Sequence, residues 1–270
     1  MDKKVLAIIN SLYAGKDTIQ KHIRLAIVVA IPTLIFAFFC LLKGFDIKVT
    51  ESSLGSLYLI AFLVAIPCVL TVAGLYAQQV QRLLCGVKGM PEITLDSFII
   101  GFRQILFMFC WMMYSAFVLA VPVVIIWNSL NNTGFLGFVV AIILTTGVVL
   151  ILSIVSMLIY PNISYIYIEY VKSSFTKAAC LNPLYIFKFY KKGVKKSFKV
   201  VGVIIVLILL LNTIWGTVGA MFAGGTFALS NMAKSIAMVP LAIIQAYIGC
   251  ILSLIGLELF VEVYKEEFNE

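Results

Sequence analysis

"NPLYIFKFYKKGVKKSFKVVGVIIVLILLL", residues 182–211, sets six lysines within twelve residues against an apolar run that carries no charge. The run continues through about residue 220, long enough to cross a hydrocarbon layer about 30 Å thick, which takes about 20 mainly apolar residues in a helix. Five more stretches share its character, so that spans fall at about 25–42, 54–77, 104–127, 134–160, 200–220 and 237–257. The chain is 63% hydrophobic and 12% charged, about half the charged fraction of a soluble domain. Lipid is the solvent that such a composition requires. Alternation of apolar and polar residues in ten-residue segments, the mark of a membrane β-barrel, is absent. Lipid offers no partner to unpaired backbone groups, so the spans are helices. The expected fold is all-α: a single six-helix integral membrane domain over residues 1–270.

The lysines then fix an orientation. Alternate connections carry 17 and 3 basic residues, the larger share falling on the two terminal segments and the second and fourth loops. Basic loops are retained inside the cell, which predicts a cell-membrane protein with both termini cytoplasmic. The first span, preceded by 24 residues and lacking a small-x-small site after it, does not read as a cleavable signal. Cys40 follows bulky Phe39, which argues against lipidation there. The six cysteines form no CxxC pair, so no metal knuckle or disulfide framework is indicated.

Lys188, Lys191, Lys192, Lys195, Lys196 and Lys199 are spaced to share one helical face about 140° wide, with Phe187, Tyr190, Val194 and Phe198 opposite. Asn182 before Pro183 is a suitable start, an asparagine cap followed by proline at the first helical position. The pattern predicts an amphipathic elbow helix at the cytoplasmic interface, rings in acyl chains and ammonium groups among phosphates. Those six lysines and Arg103 are the expected headgroup contacts, and the expected partners are membrane lipids, anionic ones foremost. A membrane-protein partner or a second copy of the chain is the other partner class. Nucleic acid is not expected, because the rings share a face suited to lipid and no nucleic-acid motif accompanies them.

A repeat is visible in the connections. "PEITLDSFIIGFRQILF", from Pro91, and "PLYIFKFYKKGVKKSFK", from Pro183, align Phe98 with Tyr190, Gly101 with Gly193 and Arg103 with Lys195. Thr94 and Asp96 mark the helix start in the earlier copy, and the segment holding Lys21 and Arg24 reads as a degenerate third. Three elbow-plus-hairpin units are implied, all elbows facing one side. The stretch "GLYAQQVQRLLCGVKGMPEITLDSFIIGFRQILF" carries a glycine-aromatic span exit, a basic residue, a glycine-containing turn that ends in Pro91-Glu92 and a further glycine in order, and "YPNISYIYIEYVKSSFTKAACLNPLYIFKFYKKGVKKSF" and "GLELFVEVYKEEF" complete the pattern. In these the chain resembles the uncharacterised prokaryotic membrane family catalogued as domain of unknown function 4013. More distantly it is similar to the membrane domain of some glycerophosphodiester phosphodiesterases. Gly-Leu-Tyr stands where the family has Gly-Tyr, and Met90-Pro91-Glu92 where it has Leu-Pro-Glu. The resemblance implies a fold and transfers no catalytic residues.

Little in the chain points to catalysis. The six spans lack Asp, Glu, Lys, Arg and His, whereas proton relays and intramembrane proteases need ionisable groups at depth. The one histidine, His22, precedes the first span, and no HExxH or phosphate-cradling glycine loop occurs. No cofactor and no enzymatic activity are expected. Gln245 and Asn212 are candidates for interhelix hydrogen bonds or for lining a cavity. Glu258, just past the last span, is expected to pair with Arg82, Arg103 or an elbow lysine. Pro32, Pro67, Pro122 and Pro240 fall within spans, Asn131-Asn132-Thr133 matches a glycosylation sequon, and "GAMFAGGTFALSNMAKS" reads as a glycine-rich outer loop. The leading function is a non-enzymatic scaffold or accessory subunit that engages anionic lipid or a partner at the inner leaflet. The alternative is a transporter or lipid-translocating protein for a neutral or amphiphilic substrate.

Overall fold

A computed structural model describes residues 2–14, 17–44, 51–130, 134–225 and 231–268. Among them are eight α-helices and no strand: α1 (Asp2–Tyr13), α2 (Thr18–Gly44), α3 (Glu51–Leu84), α4 (Leu95–Arg103), α5 (Ile105–Leu130), α6 (Gly134–Lys172), α7 (Phe187–Gly225) and α8 (Asn231–Phe268). Six of these, α2, α3 and α5 to α8, contain a stretch long and apolar enough to cross a bilayer. The protein is therefore an all-α, multi-pass membrane protein. Each crossing helix outlasts the apolar run that predicts it, because the polar residues at its ends continue the backbone hydrogen bonding into the interface. The sequon and part of the outer loop expected after residue 220 lie outside the described residues, as does the side chain of Cys40.

Two compact units divide the chain. The first comprises Met1–Arg103 and Lys199–Glu262, the second Gln104–Phe198 and Val263–Glu270, so α7 and α8 each contribute to both.

In the first unit α3 and α4 meet without side chains between them. A Cβ placed on Gly74 would lie 1.6 Å from the Ser97 carbonyl oxygen, and one on Gly101 would lie 1.8 Å from that of Leu70. Only glycine permits this approach. One turn past Gly74, Gln78 accepts a 3.1 Å hydrogen bond from the Ser97 hydroxyl, which also accepts from the Thr94 backbone N–H at 3.1 Å. Thr94 thus does precede the first helical residue. The connection before α4 opens with a Schellman closure of α3: Gly86 adopts φ +80°, its N–H reaches the Leu83 carbonyl (3.0 Å), and the Val87 N–H reaches that of Arg82 (2.8 Å).

In the second unit α5 and α6 form a hairpin, and aromatic rings fill the space at one end. Phe107 packs on Tyr170 with centroids 5.1 Å apart, and Tyr165, fully buried, packs on Phe189 and Phe268. Two 3-10 turns, Ala178–Leu181 and Pro183–Ile186, lead from α6 to α7. Asn182 caps the second by accepting from the Leu184 N–H at 2.9 Å, with Pro183 following, as the sequence predicts. The lysine segment differs from expectation in one respect: it is no separate helix, since α7 runs unbroken from Phe187 into the span. Phe187 and Phe198 are exposed, as rings bound for acyl chains should be, while Phe189, Ser197 and Val200 face inward.

Candidate functional site

The most elaborate polar arrangement forms where α6 ends. In "YIYIEYVKSSFTK", residues 165–177, Glu169 is the one acid in an aromatic and β-branched run, and it is 8% exposed. Past Lys172 the chain reverses through Ser174 (φ 55°) and Phe175 (φ 67°), two non-glycine residues in the left-handed region. The hydrogen bonds are those of a Schellman closure: Ser174 N–H to Val171 (3.0 Å) and Phe175 N–H to Tyr170 (3.0 Å). Its accompanying apolar contact is Phe175 edge-on to Tyr170, centroids 5.6 Å apart. The Ser173 hydroxyl donates to the Tyr170 carbonyl (2.8 Å) and accepts from the Lys177 N–H (3.2 Å). The reversal carries Lys177 back over Glu169.

Three donors converge on that carboxylate. Lys177 donates to Glu169 Oε1, the Tyr185 hydroxyl donates to the same oxygen at 2.9 Å, and Lys188 reaches Oε1 at 3.0 Å and Oε2 at 3.3 Å. Lys188 also donates to the Tyr185 oxygen at 2.9 Å, and both ammonium groups lie over the Tyr185 ring, at 5.6 and 5.1 Å from its centroid. Burial pushes the Glu169 carboxyl up, but the hydrogen bonds from Lys177, Lys188 and Tyr185 outweigh it and leave the group below its ordinary value. Lys177 is raised, chiefly by its hydrogen bond to Glu169, and Lys188 is raised although burial acts against it. One negative and two positive charges leave the cluster a net cation. The Cys180 thiol beside it is pushed up to about 11 by burial and by the Glu169 charge, so it is no nucleophile at neutral pH.

The surrounding scaffold fixes these groups. From α5, the Trp111 Nε1–H donates to the Cys180 carbonyl (3.2 Å) and the Tyr114 hydroxyl to that of Leu181 (3.1 Å), which ties the first 3-10 turn to the hairpin. The last residues of α8 close the other side: Lys196 pairs with Glu266 (3.0 Å) and Glu267 (2.6 Å), and Lys172 lies 5.7 Å from the Tyr264 ring centroid. Tyr165, held by a 2.6 Å hydrogen bond with Ser197, is pushed up to about 12 by its burial.

The residues singled out from sequence therefore separate. Lys188 and Lys196 are engaged in ion pairs within the protein, while Lys199 and Arg103 are exposed. The side chains of Lys191, Lys192 and Lys195 lie outside the described residues. Asn212 and Gln245 are both exposed, so neither lines an internal cavity. Glu258 corrects its expectation: it is 1% exposed, and neither carboxylate oxygen has a hydrogen-bond partner. Arg82 turns elsewhere, donating to the Met90 carbonyl at 2.9 Å. Glu169, Lys177 and Tyr185 are not found by sequence reasoning. A single acid among rings, with lysines three and eight residues on, was the available signal.

Among the described residues no group of three or more His, Cys, Asp or Glu side chains is placed to hold a metal. No family model, curated protein or solved structure matches the chain. What the fold defines is a class, the helical multi-pass membrane protein.

Proposed function

We propose that the protein is a non-enzymatic scaffold or accessory subunit that holds anionic lipid headgroups, or an acidic membrane partner, at the inner leaflet. The Glu169 cluster carries this reading. Lys177 and Lys188 share one carboxylate yet keep 38% and 52% of their side chains exposed. An ammonium has three donors; Lys188 directs its three at Glu169 and Tyr185, so it is the charge of both groups and the further donors of Lys177 that face an incoming phosphate. The carboxylate and the Tyr185 ring hold both ammonium groups in place beforehand, which reduces the ordering cost of binding. Lys199 and Arg103, exposed, add charge available to the same surface chemistry. Termini inside the cell and membership of the uncharacterised family named above belong to the same proposal. The alternative, a transporter or lipid-translocating protein for a neutral or amphiphilic substrate, rests on the in-span prolines Pro32, Pro67, Pro122 and Pro240, which lie inside helices, on the repeat, and on Gln245 and Asn212, both of which are exposed.

The test uses full-length protein in nanodiscs of phosphatidylcholine with or without phosphatidylglycerol. Each lysine near an anionic surface contributes about 1 kcal/mol at low salt. The protein should melt at higher temperature in the anionic discs, and the increment should shrink when Lys191, Lys192, Lys195 and Lys199 are changed to Gln. Equal melting in both discs would remove lipid charge from the reading.

A further inference from the structure

Glu258 lies on the inner face of α8 beside Leu254, Ile255 and Val261, all buried, and is itself 1% exposed. Neither of its oxygens has a hydrogen-bond partner. An ionised carboxylate in such a place loses its hydration and gains no partner in return, so the group is held neutral, with its proton. We propose that Glu258 is a proton-binding site that latches α1: the carboxyl keeps its proton while α1 is docked on α8, and gives it up to water when α1 lifts away. This goes beyond the anionic-headgroup reading and does not rest on it.

The charged groups described in the first unit all turn elsewhere. Lys4 of α1 pairs with Glu262, one turn past Glu258, at 3.6 Å. Lys21 of α2 and Arg82 of α3 both donate to the Met90 carbonyl, at 3.3 and 2.9 Å, and Arg24 pairs with Glu92 at 2.9 Å. Lys3 of α1, Lys88 after α3, Arg103 of α4 and Lys199 of α7 are exposed, as are Asp17 and Asp96, and water and salt screen them. The one histidine, His22, meets the Leu12 carbonyl through Nε2 (3.2 Å) and the Tyr247 hydroxyl through Nδ1 (2.7 Å). An imidazolium donates from both nitrogens, and both of these oxygens accept, so titration of His22 preserves its contacts.

Two contacts set α1 along this part of α8. Lys4 meets Glu262 at one end; at the other the Tyr13 ring stacks on His22, centroids 4.4 Å apart, and His22 in turn meets Tyr247. The two helices therefore run in opposite directions, and Ile8, one turn after Lys4, comes level with Glu258, one turn before Glu262. Ile8 and Leu12 are buried. α1 is also the piece that can leave. It is not among the crossing helices, which the hydrocarbon layer retains. Its ion pair to Glu262 keeps 65% of the Lys4 side chain exposed and so holds it weakly.

Linkage gives the direction. Docked, the carboxyl is neutral; undocked and hydrated, it ionises in the ordinary carboxylate range. Above that range each pH unit shifts the balance about tenfold toward the undocked form, until the docked carboxyl itself ionises. Acid latches α1 and alkali releases it.

Full-length protein in phosphatidylcholine nanodiscs is followed by amide hydrogen exchange at about pH 7 and 8, above the ordinary histidine value and below those of cysteine and lysine. After correction for intrinsic exchange, opening of α1 should increase about tenfold over that unit in wild type. It should stay level in Glu258→Gln, which carries a neutral group of the same shape, and opening of α4 should stay level in both. The infrared spectrum of wild type at neutral pH should contain the carbonyl stretch of a protonated carboxylic acid, and that of Glu258→Gln should lack it. Melting temperature reports whether the variant is folded; where it is not, the wild-type slope and carbonyl band decide. Absence of the acid band at neutral pH, opening of α1 that is level with pH in wild type, a slope that Glu258→Gln retains, or one that α4 shares would each overturn the proposal.

Discussion

Glu169 accepts from three donors that come from three different places in the chain, and substituting it isolates what charge contributes there. Glu169→Gln keeps the shape but turns an acceptor into an amide facing two ammonium groups. Breaking a fully buried pair costs about 3–5 kcal/mol; here both ammonium groups are well solvated, so the expected loss is about 2 kcal/mol, read as a lower melting temperature in detergent. The pH dependence has a definite sign. The folded carboxyl is depressed, so its contribution is complete above the ordinary glutamate value of 4.5 and is lost as pH falls through the lower folded value. Lys177 and Lys188 are raised, so theirs is complete below 10.5 and is lost only as pH rises beyond it. Wild type should thus lose stability in acid, and Glu169→Gln should lose less of what remains to it. Sequence shows such lysines as charge on a face. It does not show that Lys188 turns to an acid nineteen residues earlier, because that pairing depends on how α6 closes.

Helix closure also separates what sequence reveals from what it hides at the level of elements. The α3 terminus is signalled by Gly86, a residue suited to the left-handed conformation it adopts. The α6 terminus uses the same hydrogen bonds with Ser174 and Phe175, and no glycine marks it. Gly101 was legible as one member of a repeated pattern; its physical role, contact of α4 with the α3 backbone, was not. Overpacking a well-filled contact costs about 1–3 kcal/mol. Where the clash is with carbonyl oxygens that cannot turn aside, Gly74→Ala and Gly101→Ala should each fall at or beyond the upper end of that range. Shorter survival in sodium dodecyl sulfate, measured by loss of helical circular dichroism, checks this. Gly55→Ala, whose added carbon meets no atom within 4 Å, is the neutral control.

Across the whole chain the six crossings were legible because hydropathy alone selects them: five predicted spans lie inside an observed helix, and the third starts one residue before α5. The division into two units was not legible, since α7 and α8 each pass from one to the other as a continuous helix. Charge asymmetry makes the remaining claim about the whole protein. Cys85, in the connection between α3 and α4, is exposed, while Cys68 and Cys180 are buried. In a Cys40→Ala background, a membrane-impermeant maleimide should leave Cys85 unlabelled on intact cells and label it in inverted vesicles. Labelling on intact cells would reverse the orientation. High salt should weaken the hold of the basic segments on anionic lipid, since screening acts over about 10 Å at 0.1 M.

The left-handed pair at Ser174 and Phe175 has a further consequence for how the chain meets proteases. Residues 173–186 join two membrane helices and contain a trypsin site at Lys177, so a loose connection of that length would be cut. Here the scissile residue's own ammonium is turned inward onto Glu169, and Trp111 and Tyr114 grip the backbone that follows. Trypsin should spare this bond in the folded protein while cleaving at exposed Lys88, and Glu169→Gln should make Lys177 a cleavage point.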